Sequence, residues 1–261
     1  MTDIVPQVSS TEQMPHYRLP RWARGGLLWD LLAQRPRSFA RDAQAAVAGL
    51  RTPPMVLGTE QLPSEGPCLV TCNHYTRPGF AAWWLTLAIT AAVAAGRAPG
   101  ADPEIHWVMT AGWRFQGSRW KPRILTPVTR WAFARVARVY GFVTMPPMPP
   151  APEEMGARAA GVLRTVRLAR HLAQEGGMVG LAPEGRDVPE GLGEPPEGVG
   201  EFICLLVKAG LPILPVGVTE LGGRLRISFG QLFVPEIPPS RIGRDRMIAQ
   251  EVMRAIATQL Q

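Results

Sequence analysis

Residues 68–80 read Cys-Leu-Val-Thr-Cys-Asn-His-Tyr-Thr-Arg-Pro-Gly-Phe, an apolar run that stops at Asn73-His74 just ahead of Pro78-Gly79. An imidazole there is a candidate general base, because it titrates near neutral pH and can take a proton from a hydroxyl. The same punctuation returns in Met178 to Arg186, Met-Val-Gly-Leu-Ala-Pro-Glu-Gly-Arg. There Gly185 permits close backbone approach, and Arg186 offers a planar fork that matches phosphate or carboxylate oxygens. His74 is therefore the candidate catalytic residue, with Asn73, Arg77, Glu184, Gly185 and Arg186 as candidate substrate-binding residues. The other three histidines are less informative: His16 lies in a tail, while His106 and His171 fall within strand and helix patterns.

These two turns need elements to hold them, and the chain supplies an alternation of strands and helices. Val56-Leu57, Cys68–Thr71, Ile105–Met109, a stretch from Gly141, Met178–Ala182, Leu211–Val218 and Leu225–Phe229 read as strands. Helical patterns cover Phe80 to about Ala95, Arg123–Tyr140, Glu153–Glu175, Val199–Ala209 and Met247–Leu260. Between them, 145–152 holds five prolines and reads as an extended connection. Residues 184–201 carry six carboxylates against one arginine and read as a long loop. The alternation predicts an α/β fold with a mixed, largely parallel sheet flanked by helices. In such sheets ligands bind beyond the carboxyl ends of the strands, which is where both turns fall. The expected division is a tail and basic helical arm over 1–52 and one domain over 53–261.

Composition narrows the partners. The net charge is +7, which favours an anionic partner. Residues 17–51 hold seven arginines against two aspartates, and residues 105–140 hold seven basic residues and no acid. All eight tryptophans lie between Trp22 and Trp131. Tryptophan mixed with arginine suits the headgroup layer of an anionic bilayer, and a helical arm that merely packs on the domain is the competing reading. The uncharged stretch from Pro78 to Gly96 would make a helix of roughly 28 Å, close to the ~30 Å hydrocarbon core. Its threonines and alanines favour a buried helix on a sheet over a membrane span. Residues 1–16 show no periodicity and read as a loose tail, and the first twenty residues lack the apolar core of a secretory signal. Three cysteines, Cys68, Cys72 and Cys204, suit a reducing compartment and show no metal-ligand spacing. Nucleic acid is disfavoured, since charge is its one support.

The order Asn73-His74, then Pro183-Glu184-Gly185, then Leu211-Pro-Ile-Leu-Pro-Val-Gly-Val218 resembles the glycerolipid acyltransferase superfamily, the glycerol-3-phosphate and lysophosphatidate acyltransferases. The resemblance covers roughly Pro54 to Leu260. It implies that His74 is the base, that Pro183-Glu184-Gly185 belongs to the block that grips the acceptor phosphate, and that the fold is that of the superfamily. The sequence departs from the pattern in three places. The family's aspartate, five residues after the histidine, is Gly79 here. Arg186 follows Gly185 directly, one place early. Thr144-Met145-Pro146 stands where a phosphate-binding arginine is common.

The resemblance implies an acyltransferase that moves a fatty acyl group from acyl-CoA or acyl carrier protein to a hydroxyl of a lysophospholipid or glycerol-phosphate-like acceptor. Acyl-CoA or the carrier protein is then a co-substrate, and no cofactor or metal is expected. The protein would work at an anionic membrane surface, peripheral on the cytoplasmic inner face. A non-catalytic lipid- or acyl-binding protein that keeps the fold is the alternative, supported by Gly79. An acid in the 184–201 loop could replace the missing aspartate, without the sequence saying which. Gly79→Asp, which restores a carboxylate, is expected to raise transfer by at least about tenfold.

Overall fold

The computed structural model describes residues 17, 21–115, 121–188 and 191–261, the side chains of 21–24 and 121 excepted. The tail over 1–16 and the side chains of Trp22 and Trp120 thus lie outside the described residues. Seven strands, β1 (Met55–Leu57), β2 (Cys68–Cys72), β3 (Ile105–Thr110), β4 (Val143–Met145), β5 (Met178–Leu181), β6 (Ile213–Leu221) and β7 (Arg224–Phe229), form one sheet in the order β1-β7-β6-β2-β5-β3-β4. Every neighbouring pair is parallel except β6 and β7, which form an antiparallel hairpin. The expected mixed, largely parallel sheet is what forms.

Among the described residues, seven helices flank it: α1 (Arg21–Ala33), α2 (Phe39–Ala48), α3 (Trp83–Gly96), α4 (Lys121–Tyr140), α5 (Met155–Glu175), α6 (Val199–Lys208) and α7 (Arg244–Thr258). Phe39, Ala43 and Ala46 of α2 share one core with Trp84, Leu85, Leu87 and Ile89 of α3 and with Cys68, Val70 and Cys72 of β2. The alternate β2 residue Leu69 joins Val179, Ile213, Ile203, Leu206, Ile248 and Val252 in a second core beneath α5, α6 and α7. Period-two alternation thus sends successive β2 side chains into opposite layers, and all five are buried.

The uncharged stretch resolves as the buried helix. α3 has 14 residues, eight of them buried. It begins at Trp83 rather than Phe80, because Pro78 and Gly79 are consumed in a tight turn and Phe80 N–H bonds back to the Arg77 carbonyl at 2.9 Å. Among the described residues, no helix is long and apolar enough to cross a membrane. The sheet centre accommodates bulk by pairing it with glycine. A Cβ on Gly180 would sit 2.4 Å from the Trp107 ring, so that ring fits over β5 because residue 180 has no side chain. Trp107 Nε1–H then donates to Thr90 Oγ1 at 3.1 Å, which ties β3 to α3.

α1 and α2 are joined to the rest of the fold by specific bonds. Ser38 caps α2 by accepting from Arg41 N–H at 3.0 Å, and Glu104, just before β3, accepts from Ala40 N–H at 3.0 Å. The Arg135 guanidinium of α4 donates to the carbonyls of Leu31 and Leu32 at 3.0 and 2.7 Å, which satisfies orphan acceptors at the end of α1. Each of these two helices leaves apolar side chains in solvent: Leu28, Trp29 and Leu32 on α1, and Ile124, Val128 and Trp131 on α4. Trp29 is 61% exposed and Trp131 51% exposed.

Candidate active site

β2 and β5 are neighbours whose following connections leave in opposite directions. From β2 the chain passes through α3 and crosses β5 to reach β3, while from β5 it passes through α6 and crosses β2 to reach β6. Strand order therefore reverses between them, and a crevice opens at their carboxyl ends. His74 stands at the end of β2 and the Pro183-to-Val188 turn at the end of β5. The two walls expected from the sequence do face each other.

They are laced by backbone. Val188 N–H donates to the His74 carbonyl at 3.0 Å, and Thr76 N–H donates to the Val188 carbonyl at 3.2 Å, which makes a parallel bridge between Tyr75 and Val188. Glu184 adds a side-chain staple. It is 1% exposed, one carboxylate oxygen accepts the His74 N–H, and the other accepts the Gly193 N–H at 2.5 Å. Burial pushes the Glu184 carboxyl above its ordinary value, against the opposing pull of these two donors. Gly185 turns the chain with φ of 61° and donates its N–H to the Ala182 carbonyl at 3.1 Å.

Asn73 is buried, and its carboxamide brackets Val218: Nδ2 donates to the carbonyl at 2.9 Å and Oδ1 accepts the N–H at 2.8 Å. Cys72 already pairs with Val216 in the ladder, so the Asn73 side chain extends that pairing past the end of β2. Its amide positions His74 by holding the strand end. Arg77 is committed to Glu220 through Nε and Nη2, and Nη1 donates to the Pro78 carbonyl at 2.7 Å. The Glu220 carboxylate also accepts from Tyr17 and Tyr75 hydroxyls at 3.1 and 3.0 Å. Burial, and then the hydrogen bond to Glu220, raise the Tyr75 phenol above its usual value.

Around the imidazole the picture is different. His74 Nδ1 is shielded from solvent and lies 3.3 Å from Asp187 Oδ1. This is an ion-pair distance, but the geometry falls short of a hydrogen bond, and among the described residues Nδ1 has no hydrogen-bond partner. The side chain as a whole is 25% exposed, so its opening to solvent belongs to the rest of the ring, which includes Nε2. Arg186 is exposed and makes no ion pair among the described residues. His106 Nδ1 lies 2.9 Å from the Gly141 carbonyl, and His171 pairs with Glu175 at 3.2 Å on the α5 surface, so neither joins the site.

Asp187, Gly193 and Glu220 belong to this neighbourhood and were not singled out from the sequence. For Asp187 the signal was the acidic loop itself, which promised a carboxylate without indicating which. Glu220 lies 145 residues from Tyr75 and carries no local mark.

The profile of the family described as Acyltransferase matches residues 54–219. No curated protein matches the chain. Among solved structures, the 1-acyl-sn-glycerophosphate (LPA) acyltransferase PlsC from Thermotoga maritima is similar at 16% identity, covering 92% of this chain and 84% of its own, with a TM-score of 0.45. The family match spans both turns, the strands beneath them and β6 as far as Thr219, and the chain belongs to the Acyltransferase family.

Proposed function

We propose that the protein transfers a fatty acyl group from an acyl thioester, acyl-CoA or acyl carrier protein, to a hydroxyl of a lysophospholipid or glycerol-phosphate-like acceptor. The observation that carries this reading is His74 at the carboxyl end of β2, with Nδ1 buried toward Asp187 and the side chain as a whole 25% exposed. In the reaction, His74 Nε2 takes the acceptor's hydroxyl proton as its oxygen attacks the thioester carbonyl. The C–S bond then breaks, and the leaving thiolate receives the proton from the imidazolium. Arg186 meets the acceptor's anionic headgroup, for which its exposed guanidinium, in no ion pair among the described residues, is suited. Glu184 and Asn73 hold the backbone on either side of the base.

The exposed apolar residues of α1 and α4, set among arginines, support an anionic membrane surface as the place of reaction. On this reading the protein is peripheral, on the cytoplasmic face. The test is the appearance of acylated product from purified protein with lysophosphatidate and a long-chain acyl-CoA, and its loss in His74→Ala. The second reading, a non-catalytic lipid- or acyl-binding protein, is favoured by Gly79 in place of the family's aspartate. It is upheld if the folded wild type binds acyl ligand without turnover.

A further inference from the structure

We infer that Asp187 is the positioning carboxylate of His74, so that the acid of the catalytic pair has moved from the histidine's own loop to the loop after β5. The inference rests on the acyltransferase reading and extends it to a residue outside the histidine motif.

The histidine loop has no place for the acid. Residues 77–80 close on themselves, with Phe80 N–H on the Arg77 carbonyl at 2.9 Å and Arg77 N–H on the Phe80 carbonyl at 3.1 Å. Gly79 has φ of 83° in this turn, a conformation that proline before and glycine at this place serve, and one that L side chains rarely adopt. Among the described residues, the other carboxylates near the ring are occupied. Glu184 spends both oxygens on backbone N–H groups, and Glu220 spends both on Arg77, Tyr17 and Tyr75.

Asp187 remains. Its Oδ1 is 3.3 Å from His74 Nδ1, and among the described residues it forms no other ion pair. Its position comes from the backbone, because residue 188 is bonded on both sides to the 74–76 segment. The acid therefore stays beside the ring although its own side chain is 73% exposed. Nδ1 is buried, and among the described residues Asp187 is the acceptor that a proton on it would face. Hydrogen bonds of this kind are often long or poorly aligned before substrate binds and tighten in the complex. With Nδ1–H directed at Asp187, Nε2 is the unprotonated nitrogen that faces the acceptor, and the carboxylate supports the imidazolium that forms.

The experiment compares Asp187→Asn and Asp187→Glu with the wild type. Loss of the orienting acid in a buried Ser-His-Asp triad lowers turnover about 10⁴-fold. An exposed acid is held less firmly, so Asp187→Asn is expected to lower kcat by roughly 10²-fold with both KM values within about threefold. Asp187→Glu should recover about tenfold of that loss. Ring ¹⁵N spectra of His74 supply a readout independent of turnover: the Nδ1–H form should dominate in the wild type and lose its dominance in Asp187→Asn. Unchanged kcat in Asp187→Asn, or an unchanged tautomer, would overturn the inference. So would a loss confined to acceptor KM, which would make Asp187 a substrate contact. Absence of turnover in the wild type would instead count against the acyltransferase reading, and the spectra would still decide the role of Asp187.

Discussion

Glu184→Gln is the sharpest test of how the two walls are joined. The wild-type carboxylate is 1% exposed and has two oxygens for two backbone donors, His74 N–H and Gly193 N–H. Glutamine keeps one oxygen and turns an NH₂ group toward the other donor, so one partly buried N–H loses its acceptor. That costs about 1–3 kcal/mol, or roughly 2–12 °C in Tm for a chain of this size. Part of the loss is offset, because the variant no longer holds an ionisable group in a buried place. The sign of that offset follows from the direction of the shift. Burial raises the carboxyl above its ordinary 4.5, so the folded state holds the proton more tightly than the unfolded one. Its contribution is therefore fully present below 4.5 and declines as pH rises through the raised value. Urea unfolding from about pH 4 to about pH 8 should show a wild-type decline that the variant lacks, with the gap between them widest at the acid end. In kinetics, a shifted His74 backbone should lower kcat while acceptor KM stays within about threefold. A variant as stable as the wild type, flat against it across pH, with a raised acceptor KM, would refute the reasoning and turn the Glu184 carboxylate toward substrate.

Three further outcomes are expected. Gly79→Asp should not deliver the tenfold gain that the motif suggests, because a side chain at φ of 83° costs about 1 kcal/mol or more and Asp187 already faces Nδ1; a Tm lower by about 2–4 °C without faster turnover is the expected result, and a tenfold faster enzyme would contradict it. Arg186→Ala should raise acceptor KM by roughly 10- to 150-fold, the loss of one charge-assisted hydrogen bond, with donor KM little changed; an unchanged acceptor KM in steady-state kinetics would make it a solvated loop residue. Sedimentation with phosphatidylglycerol vesicles should weaken as salt rises toward 1 M, where screening acts over ~3 Å, and should weaken further in Trp29→Ser with Trp131→Ser; equal sedimentation with neutral vesicles would remove the anionic surface from the reading.

Much of this architecture was legible because each element carries its own signal. The apolar runs at Cys68 and Met178 are buried on both faces, and only a central parallel strand makes such a run sensible. His74 and Glu184 were legible for the same reason: the chain stops being apolar where the strand ends. The commitments of the polar side chains were hidden. Nothing local tells that Asn73 spends its amide on Val218, or that Arg77 is held by Glu220. Both bonds span more than 140 residues and depend on a strand order that periodicity does not encode. Asp187 falls between the two cases. The loop's composition announces an acid, and the Val188 bridge to the histidine segment selects which one.

Tyr17 is bonded into the turn after His74, ahead of α1. Its N–H donates to the Gly79 carbonyl at 3.2 Å, its own carbonyl accepts from Trp84 Nε1–H at 3.2 Å, and its ring lies edge-on to Phe80 with centroids 4.8 Å apart. A shortened chain starting at Arg21 would keep every helix and strand of the described residues. It would nonetheless uncover Phe80 and Trp84, take one donor from the buried Glu220 carboxylate, and release the carbonyl of the residue that completes the turn after His74. A shortened version that keeps the turn after His74 as it stands must therefore include this tyrosine, ahead of α1.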